Sequence, residues 1–187
     1  MMFMSKFRGF ISVDIPFSQK INELSNQIKN SGIHVKLVEP ENIHITLKFL
    51  GDVDEELIEK IEESIKKSIK DTSSFEINLA GTGVFPNLGY IKIIWIGIQD
   101  KGELKKIADN IDEQLSKIGF EKERRPFSPH LTIARVKSAR NKEKLIEIIN
   151  KYHETEFTKI KVESVKLKKS ELTPKGPIYT TIREIKL

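Results

Sequence analysis

His44-Ile45-Thr46-Leu47-Lys48-Phe49-Leu50-Gly51 and Ser128-Pro129-His130-Leu131-Thr132-Ile133-Ala134-Arg135 are the two stretches on which the reading of this chain turns. Each carries His, an apolar residue, Thr and a second apolar residue in that order. Side chains alternate across a β-strand, so His and Thr share one face. Ile45, Leu47 and Phe49 then point to the opposite face, as do Leu131 and Ile133. Each stretch offers an imidazole and a hydroxyl on one side and an apolar set to a core on the other. A single His-x-Thr is an ordinary strand sequence. Two copies, which use two of the four histidines, gain weight if they occupy matching places in the fold.

The surrounding pattern puts them there. Pro40 and Asn42 mark a turn, and Ile43–Leu50 reads as a strand that stops at Gly51. Before it, Phe7–Ile15 is a strand closed by Pro16. A helix capped by Ser18 then carries Ile21, Leu24 and Ile28 and ends at Gly32, and a short strand covers Val35–Val38. After it, Asp54–Lys70 is an amphipathic helix with Leu57, Ile58, Ile61, Ile65 and Ile69 on one stripe. Phe75–Val84 and Tyr90–Ile98 form a hairpin about Pro86-Asn87-Leu88-Gly89. A helix through Leu104, Ile107, Ile111, Leu115 and Ile118 closes at Gly119. His130–Val136 is the next strand, followed by a helix capped by Asn141 that carries Leu145, Ile146 and Ile149. Phe157–Leu167 and Ile178–Leu187 are the last strands. Both halves read strand, helix, strand, helix, strand, with a His-x-Thr strand in the middle of each. The expected fold is α+β: a single bilobal domain over 1–187 without a linker. Its pseudo-twofold duplicated β-α-β-α-β units carry two antiparallel-type sheets around a central cleft.

Composition narrows the chemistry. The 187 residues contain no cysteine, which removes disulfides, thiolate metal sites and cysteine nucleophiles together. Lys and Arg number 32 against 27 Asp and Glu, a net charge of +5. That suits an anionic ligand better than a long footprint on duplex DNA. No apolar run approaches membrane-spanning length, so a soluble, cytoplasmic monomer without a membrane partner is expected. No metal-ligand spacing appears, and Gly81-Thr82-Gly83 lacks the lysine and helix of a phosphate loop.

Two imidazoles facing one phosphate make a chemical kit. Opening a cyclic phosphodiester needs a base to deprotonate water and an acid to protonate the departing sugar oxygen. Histidine serves both near neutral pH. Two threonine hydroxyls can donate to the phosphoryl oxygens as charge builds on them. The scheme needs no metal and no cofactor.

The same residues resemble the two-histidine phosphoesterases, and within them the RNA 2′,3′-cyclic phosphodiesterase branch, also called 2′-5′ RNA ligase. Both long motifs carry the resemblance. So do the opening Arg8-Gly9-Phe10-Ile11-Ser12-Val13-Asp14 and the run Ser170-Glu171-Leu172-Thr173-Pro174-Lys175-Gly176-Pro177-Ile178-Tyr179. The resemblance implies His44 as the general acid that protonates the ribose 3′ oxygen and leaves a 2′-phosphate. It implies His130 as the general base, with Thr46, Thr132 and Arg135 binding the phosphate. It implies RNA with 2′,3′-cyclic phosphate ends as the partner, tRNA halves being one source. It also implies 2′-5′ joining of RNA ends in vitro as the reverse reaction, a 5′-hydroxyl replacing water.

Strand parity points Arg135 away from His130 unless a bulge at Ala134 re-aims it. Lys48 shares the parity of His44 and is expected at the cleft rim or in solvent. Arg124 and Arg125 are candidate RNA contacts, as are Phe127 and Tyr179 for base stacking. His34 and His153 are read as surface or structural residues. Two other functions stay open: a two-histidine phosphodiesterase acting on 2′-5′ oligonucleotides or small cyclic nucleotides, and a non-catalytic RNA-binding module.

Overall fold

Buried strand faces and helix stripes meet where the sequence pattern puts them. The computed structural model describes residues 5–138 and 142–187. The strands are β1 (Lys6–Asp14), β2 (His34–Leu37), β3 (His44–Asp54), β4 (Phe75–Asn87), β5 (Tyr90–Gln99), β6 (His130–Ser138), β7 (Glu156–Val162), β8 (Ser164–Thr173) and β9 (Gly176–Lys186). The helices are α1 (Gln19–Lys29), α2 (Ile58–Ile69), α3 (Glu103–Ser116) and α4 (Glu143–Lys151). Ser18 caps α1, its Oγ accepting from the Ile21 amide at 3.3 Å. The proposed cap Asn141 lies outside the described residues. A short 3₁₀ turn, Glu55–Leu57, precedes α2, whose stripe Ile61, Ile65 and Ile69 is buried.

Two antiparallel sheets result, ordered β3-β1-β8-β9 and β2-β6-β5-β4-β7. Leaving out the edge strand β2, the first four positions correspond: β3 to β6, β1 to β5, β8 to β4 and β9 to β7. This is the α+β, two-sheet arrangement expected from the duplicated pattern. The chain halves, however, are not the sheets. β4 belongs with β5 because a two-residue turn joins them, and the first sheet is completed by the C-terminal hairpin β8–β9.

Strand boundaries also differ from the expectation: β4 runs on to Asn87, so that Pro86 and Asn87 pair with β5 and only Leu88 and Gly89 turn, and two further differences have a clear backbone cause. Phe157–Leu167 is two strands, β7 against β4 and β8 against β1. Val162 and Val165 are both buried, yet they stand three residues apart, so one period-two strand cannot bury both on one face. The chain breaks at Glu163 and changes sheet. β3, in turn, does not stop at Gly51. It passes through a bulge that leaves Leu50 without a partner on β1, with Gly51 at φ +68. Glycine takes that conformation without the steric cost of a side chain.

Helices cover the apolar sheet faces, with α2 packed on α3 and α1 on α4. Ile11 and Val13 of β1, Ile45 and Leu47 of β3, Ile94 and Ile96 of β5, and Leu131 and Ile133 of β6 are buried. The opposite sheet faces carry the two histidines together with aromatic rings. Two bonds brace the link from β2 to β3, one at each end. The Val38 amide donates to the Ile133 carbonyl of β6 at 2.8 Å, and the Asn42 side-chain amide donates to the Pro177 carbonyl at 3.1 Å. Among the described residues, no helix is long and apolar enough to cross a membrane.

Candidate active site

The site is organised by a backbone irregularity that occurs twice. On β3 the register with β1 runs Thr46↔Ser12 and then Lys48↔Ile11, so Leu47 is an extra residue. On β6 the register with β5 runs Thr132↔Trp95 and then Ala134↔Ile94, so Ile133 is extra. A bulge places two consecutive residues on the same side and reverses the alternation beyond it. Leu47 and Lys48 are accordingly both buried, as are Ile133 and Ala134. The next residues, Phe49 and Arg135, are exposed.

This resolves the parity of Arg135. The bulge sits one residue before the position anticipated and returns Arg135 to the side of His130 and Thr132. Its positive charge acts on His44 and on Tyr179, both in the other sheet, so the two sheet faces meet there. The same irregularity moves Lys48 the other way. Lys48 is neither at the cleft rim nor in solvent. It is 3% exposed and donates to the Asp112 carboxylate of α3 at 2.6 Å and to the Glu121 carbonyl at 2.8 Å.

Both imidazoles are held alike. His44 Nδ1 lies 2.6 Å from the Asn42 carbonyl, and His130 Nδ1 lies 2.8 Å from the Ser128 carbonyl, each two residues upstream. A carbonyl can only accept, so each Nδ1 carries the hydrogen and donates. Nε2 of each ring is the nitrogen not engaged by that carbonyl. In neutral His44 it accepts from the Thr46 hydroxyl at 3.0 Å.

Aromatic rings wall each histidine. Phe10 lies 5.0 Å from His44, and Tyr179 meets both rings edge-on at 4.9 and 5.3 Å. On the other side, Phe85 stands edge-on to His130 at 5.1 Å and against Trp95 at 5.3 Å. Gly83 makes room for Trp95, since a Cβ there would run into the indole. Tyr179 is thus a wall of the His44 pocket. Phe127 is half-buried against the core. Arg124 and Arg125 are exposed and border a cavity beside β3.

Asp14, directly across from His44, pairs with Lys168 at 2.5 Å and with Lys166 at 2.9 Å. Burial alone would raise the Asp14 carboxyl, but hydrogen bonds from Lys168 and Lys166 outweigh it and hold Asp14 low. Burial pushes His44 below the ordinary histidine value. The charges of Lys168 and Arg135 push the same way, against the Asn42 carbonyl and Asp14. Burial likewise raises the Tyr179 phenol. The sequence reading missed Asp14, Lys166, Lys168, Phe10, Phe85 and Trp95 as neighbours of the histidines. Only the register between strands brings them together.

The AKAP7 2′5′ RNA ligase-like domain matches residues 10–187. A protein named RNA 2′,3′-cyclic phosphodiesterase from Methanocaldococcus jannaschii is 46% identical over 179 residues, covering 95% of this chain and 99% of that one. Another of the same name, from Methanothermobacter thermautotrophicus, is 39% identical over 184 residues, covering 97% of this chain and all of that one. Among solved structures, TT0787 of Thermus thermophilus superposes with a TM-score of 0.78 at 26% identity, covering 96% of this chain and 97% of that one. E. coli LigT complexed with 3′-AMP gives 0.73 at 22% identity, covering 98% and 99%, a likeness of fold. With the whole length from residue 10 matched and relatives aligned nearly end to end, the chain belongs to the RNA 2′,3′-cyclic phosphodiesterase (2′-5′ RNA ligase) family of two-histidine phosphoesterases.

Proposed function

We propose that this protein opens 2′,3′-cyclic phosphate ends of RNA to 2′-phosphomonoesters by acid–base catalysis between His44 and His130, without a metal. The observation that carries this reading is the matched pair of imidazoles, each with Nδ1 tied to the carbonyl two residues upstream. That tie leaves each Nε2 to handle a proton. His130 Nε2 takes a proton from water as the water oxygen bonds to phosphorus. The bond from phosphorus to the 3′ oxygen breaks, and His44 Nε2 gives that oxygen its proton. The Thr46 and Thr132 hydroxyls and the Arg135 guanidinium stabilise the charge gathering on the phosphoryl oxygens. With a 5′-hydroxyl in place of water, the same displacement joins two RNA ends through a 2′-5′ linkage. Ends left by RNA cleavage, tRNA halves among them, are the substrates this reading favours.

The test is a short RNA ending in a 2′,3′-cyclic phosphate, incubated with the protein in EDTA. Turnover to a 2′-phosphate is expected. A 3′-phosphate product would keep the enzyme class and reverse the leaving-group assignment. Turnover lost in EDTA and restored by a divalent ion would sink the metal-free mechanism. Turnover confined to small cyclic nucleotides would move the substrate class.

The charges around His44 give a second expectation. Burial and the cation of Lys168 both lower its pKa. The limb of the kcat/KM–pH profile that reports His44 therefore lies below the ordinary histidine value of about 6.5. Lys168→Met removes a positive charge and frees more of the Asp14 charge. Both changes favour the imidazolium, so that limb should move to higher pH. A limb that stays put, or moves down, would show that Lys168 is not felt at the reacting histidine.

A further inference from the structure

The ladder between β5 and β6 ends at Ile93↔Arg135, although β5 begins at Tyr90 and β6 runs on to Ser138. Each strand carries one extra residue there against its outer neighbour. On β5, Phe85↔Ile93 gives way to Pro86↔Ile91, which leaves Lys92 without a partner on β4. On β6, Val35↔Val136 gives way to His34↔Ser138, which leaves Lys137 without a partner on β2. An extra residue bends its strand, so the two strands part. Between them lies a cavity of about 710 Å³ that begins at Arg135.

The rim of this gap is cationic. Lys92, Arg135 and Lys137 border it and have no ion-pair partner among the described residues. Lys142 also borders it and donates to the Gly89 carbonyl at 2.9 Å. Among the described residues, Glu143 is the one carboxylate on the rim. Tyr90 is 61% exposed, with Lys92 Nζ 5.0 Å from the centre of its ring. Cations interleaved with an exposed ring are the means by which a single nucleic-acid strand is held.

In-line displacement assigns this gap a place in the reaction. The attacking and leaving oxygens stand on opposite sides of phosphorus. With the 3′ oxygen departing beside His44, the nucleophile enters beside His130. β6 carries His130 at its start and Arg135 and Lys137 farther on, with Lys137 roughly 20 Å along the strand from His130. A chain whose 5′-hydroxyl lies at His130 therefore reaches the gap if it is several nucleotides long.

We propose that the gap between β5 and β6 seats the second RNA strand of the joining reaction. Lys92 and Lys137 hold its phosphates, Tyr90 stacks one of its bases, and its 5′-hydroxyl meets His130. There the 5′ oxygen bonds to phosphorus and gives its proton to His130 Nε2. The bond from phosphorus to the 3′ oxygen breaks, and His44 Nε2 supplies that oxygen's proton. This rests on the reading that the histidines act on a cyclic-phosphate RNA end. It makes the balance between joining and hydrolysis a matter of whether the gap is occupied.

The experiment incubates a cyclic-phosphate RNA in EDTA with a short 5′-hydroxyl RNA below saturation and reads the ratio of joined to hydrolysed product. Wild type is compared with Tyr90→Ala and with Lys92→Ala/Lys137→Ala. Tyr90→Ala should lower the ratio about 5- to 150-fold, the loss of one base–aromatic stack. The double variant should lower it too, and should flatten the slope of log ratio against log salt by about 1.4, the share of two phosphate contacts on a single strand. For hydrolysis of the cyclic-phosphate RNA alone, kcat and KM should not move. A ratio unchanged in both variants would overturn the assignment. So would a KM for hydrolysis that rises as far as the ratio falls, which would give the gap to the strand bearing the cyclic phosphate. If wild type joins nothing, the reading of the joining reaction fails by itself. The gap is then judged by the Kd of the 5′-hydroxyl RNA, and equal binding by wild type and the double variant would remove its role.

Discussion

Alanine at His44 or at His130 is expected to lower kcat on a cyclic-phosphate RNA end by about 10²–10⁴-fold, the range of a positioned acid or base. Neither side chain belongs to the core. Both strands keep their buried residues, Ile45 and Leu47 in one and Leu131 and Ile133 in the other. The melting temperatures should accordingly stay close to that of wild type. The two variants should then part company on a substrate whose 3′ leaving atom is sulfur. A thiolate departs without a proton, so His44→Ala should recover most of its loss and His130→Ala should not. Equal behaviour on both substrates would overturn the division of roles. Wild-type turnover by either variant would overturn the two-histidine mechanism.

The second large effect is on stability and concerns Lys48. Its ammonium is buried against Asp112, whose side chain is 21% exposed. Removing one partner of a buried pair leaves a charge without compensation and costs about 3–5 kcal/mol. Asp112→Ala should fall at the lower end, about 3 kcal/mol, because the Glu121 carbonyl still accepts from Lys48. For a chain of this size that is a drop of roughly 6–12 °C in Tm. Replacing both partners together, Lys48→Met with Asp112→Leu, leaves no unpaired charge and should be close to neutral. If the double replacement costs as much as Asp112→Ala, the pair is net stabilising and the desolvation argument is wrong here. Asp112 also accepts from the Glu123 amide at 3.1 Å. Its loss should therefore loosen the segment leading to Arg124 and Arg125 and weaken RNA binding more than turnover of a cyclic mononucleotide.

Much of this molecule could be read before its structure was seen. The recurrence of His-x-Thr in two strands marked His44, Thr46, His130 and Thr132, and period-two alternation placed each pair on one face. Alternation alone also led the reading astray. It assumes an unbroken strand, and each motif strand carries an extra residue just after its threonine. That residue reverses Lys48 into the core and turns Arg135 and Phe49 outward. Leu47 and Ile133 look like any other apolar residue, so only pairing with β1 and β5 reveals them. The break at Glu163 left a fainter mark, the change of apolar phase between Val162 and Val165. The surroundings of His44 left no local trace. Asp14, Lys166 and Lys168 are distant in sequence and meet because β1 lies between β3 and β8.

The duplicated bulge bears on the regiochemistry of the reaction. In a ribose 2′,3′-cyclic phosphate the two ester oxygens stand in near-equivalent positions about phosphorus. An active centre with true twofold symmetry would cleave either one and yield a mixture of isomers. Here equivalent backbone positions carry unlike groups. Asp14 faces His44 where Gly97 faces His130, and Ser12 faces Thr46 where Trp95 faces Thr132. Beyond the bulges, Phe49 holds on β3 the position that Arg135 holds on β6. In the proposed reaction these inequalities fix the orientation of the ring and so the identity of the product. Isomer purity would then be set by residues that transfer no proton.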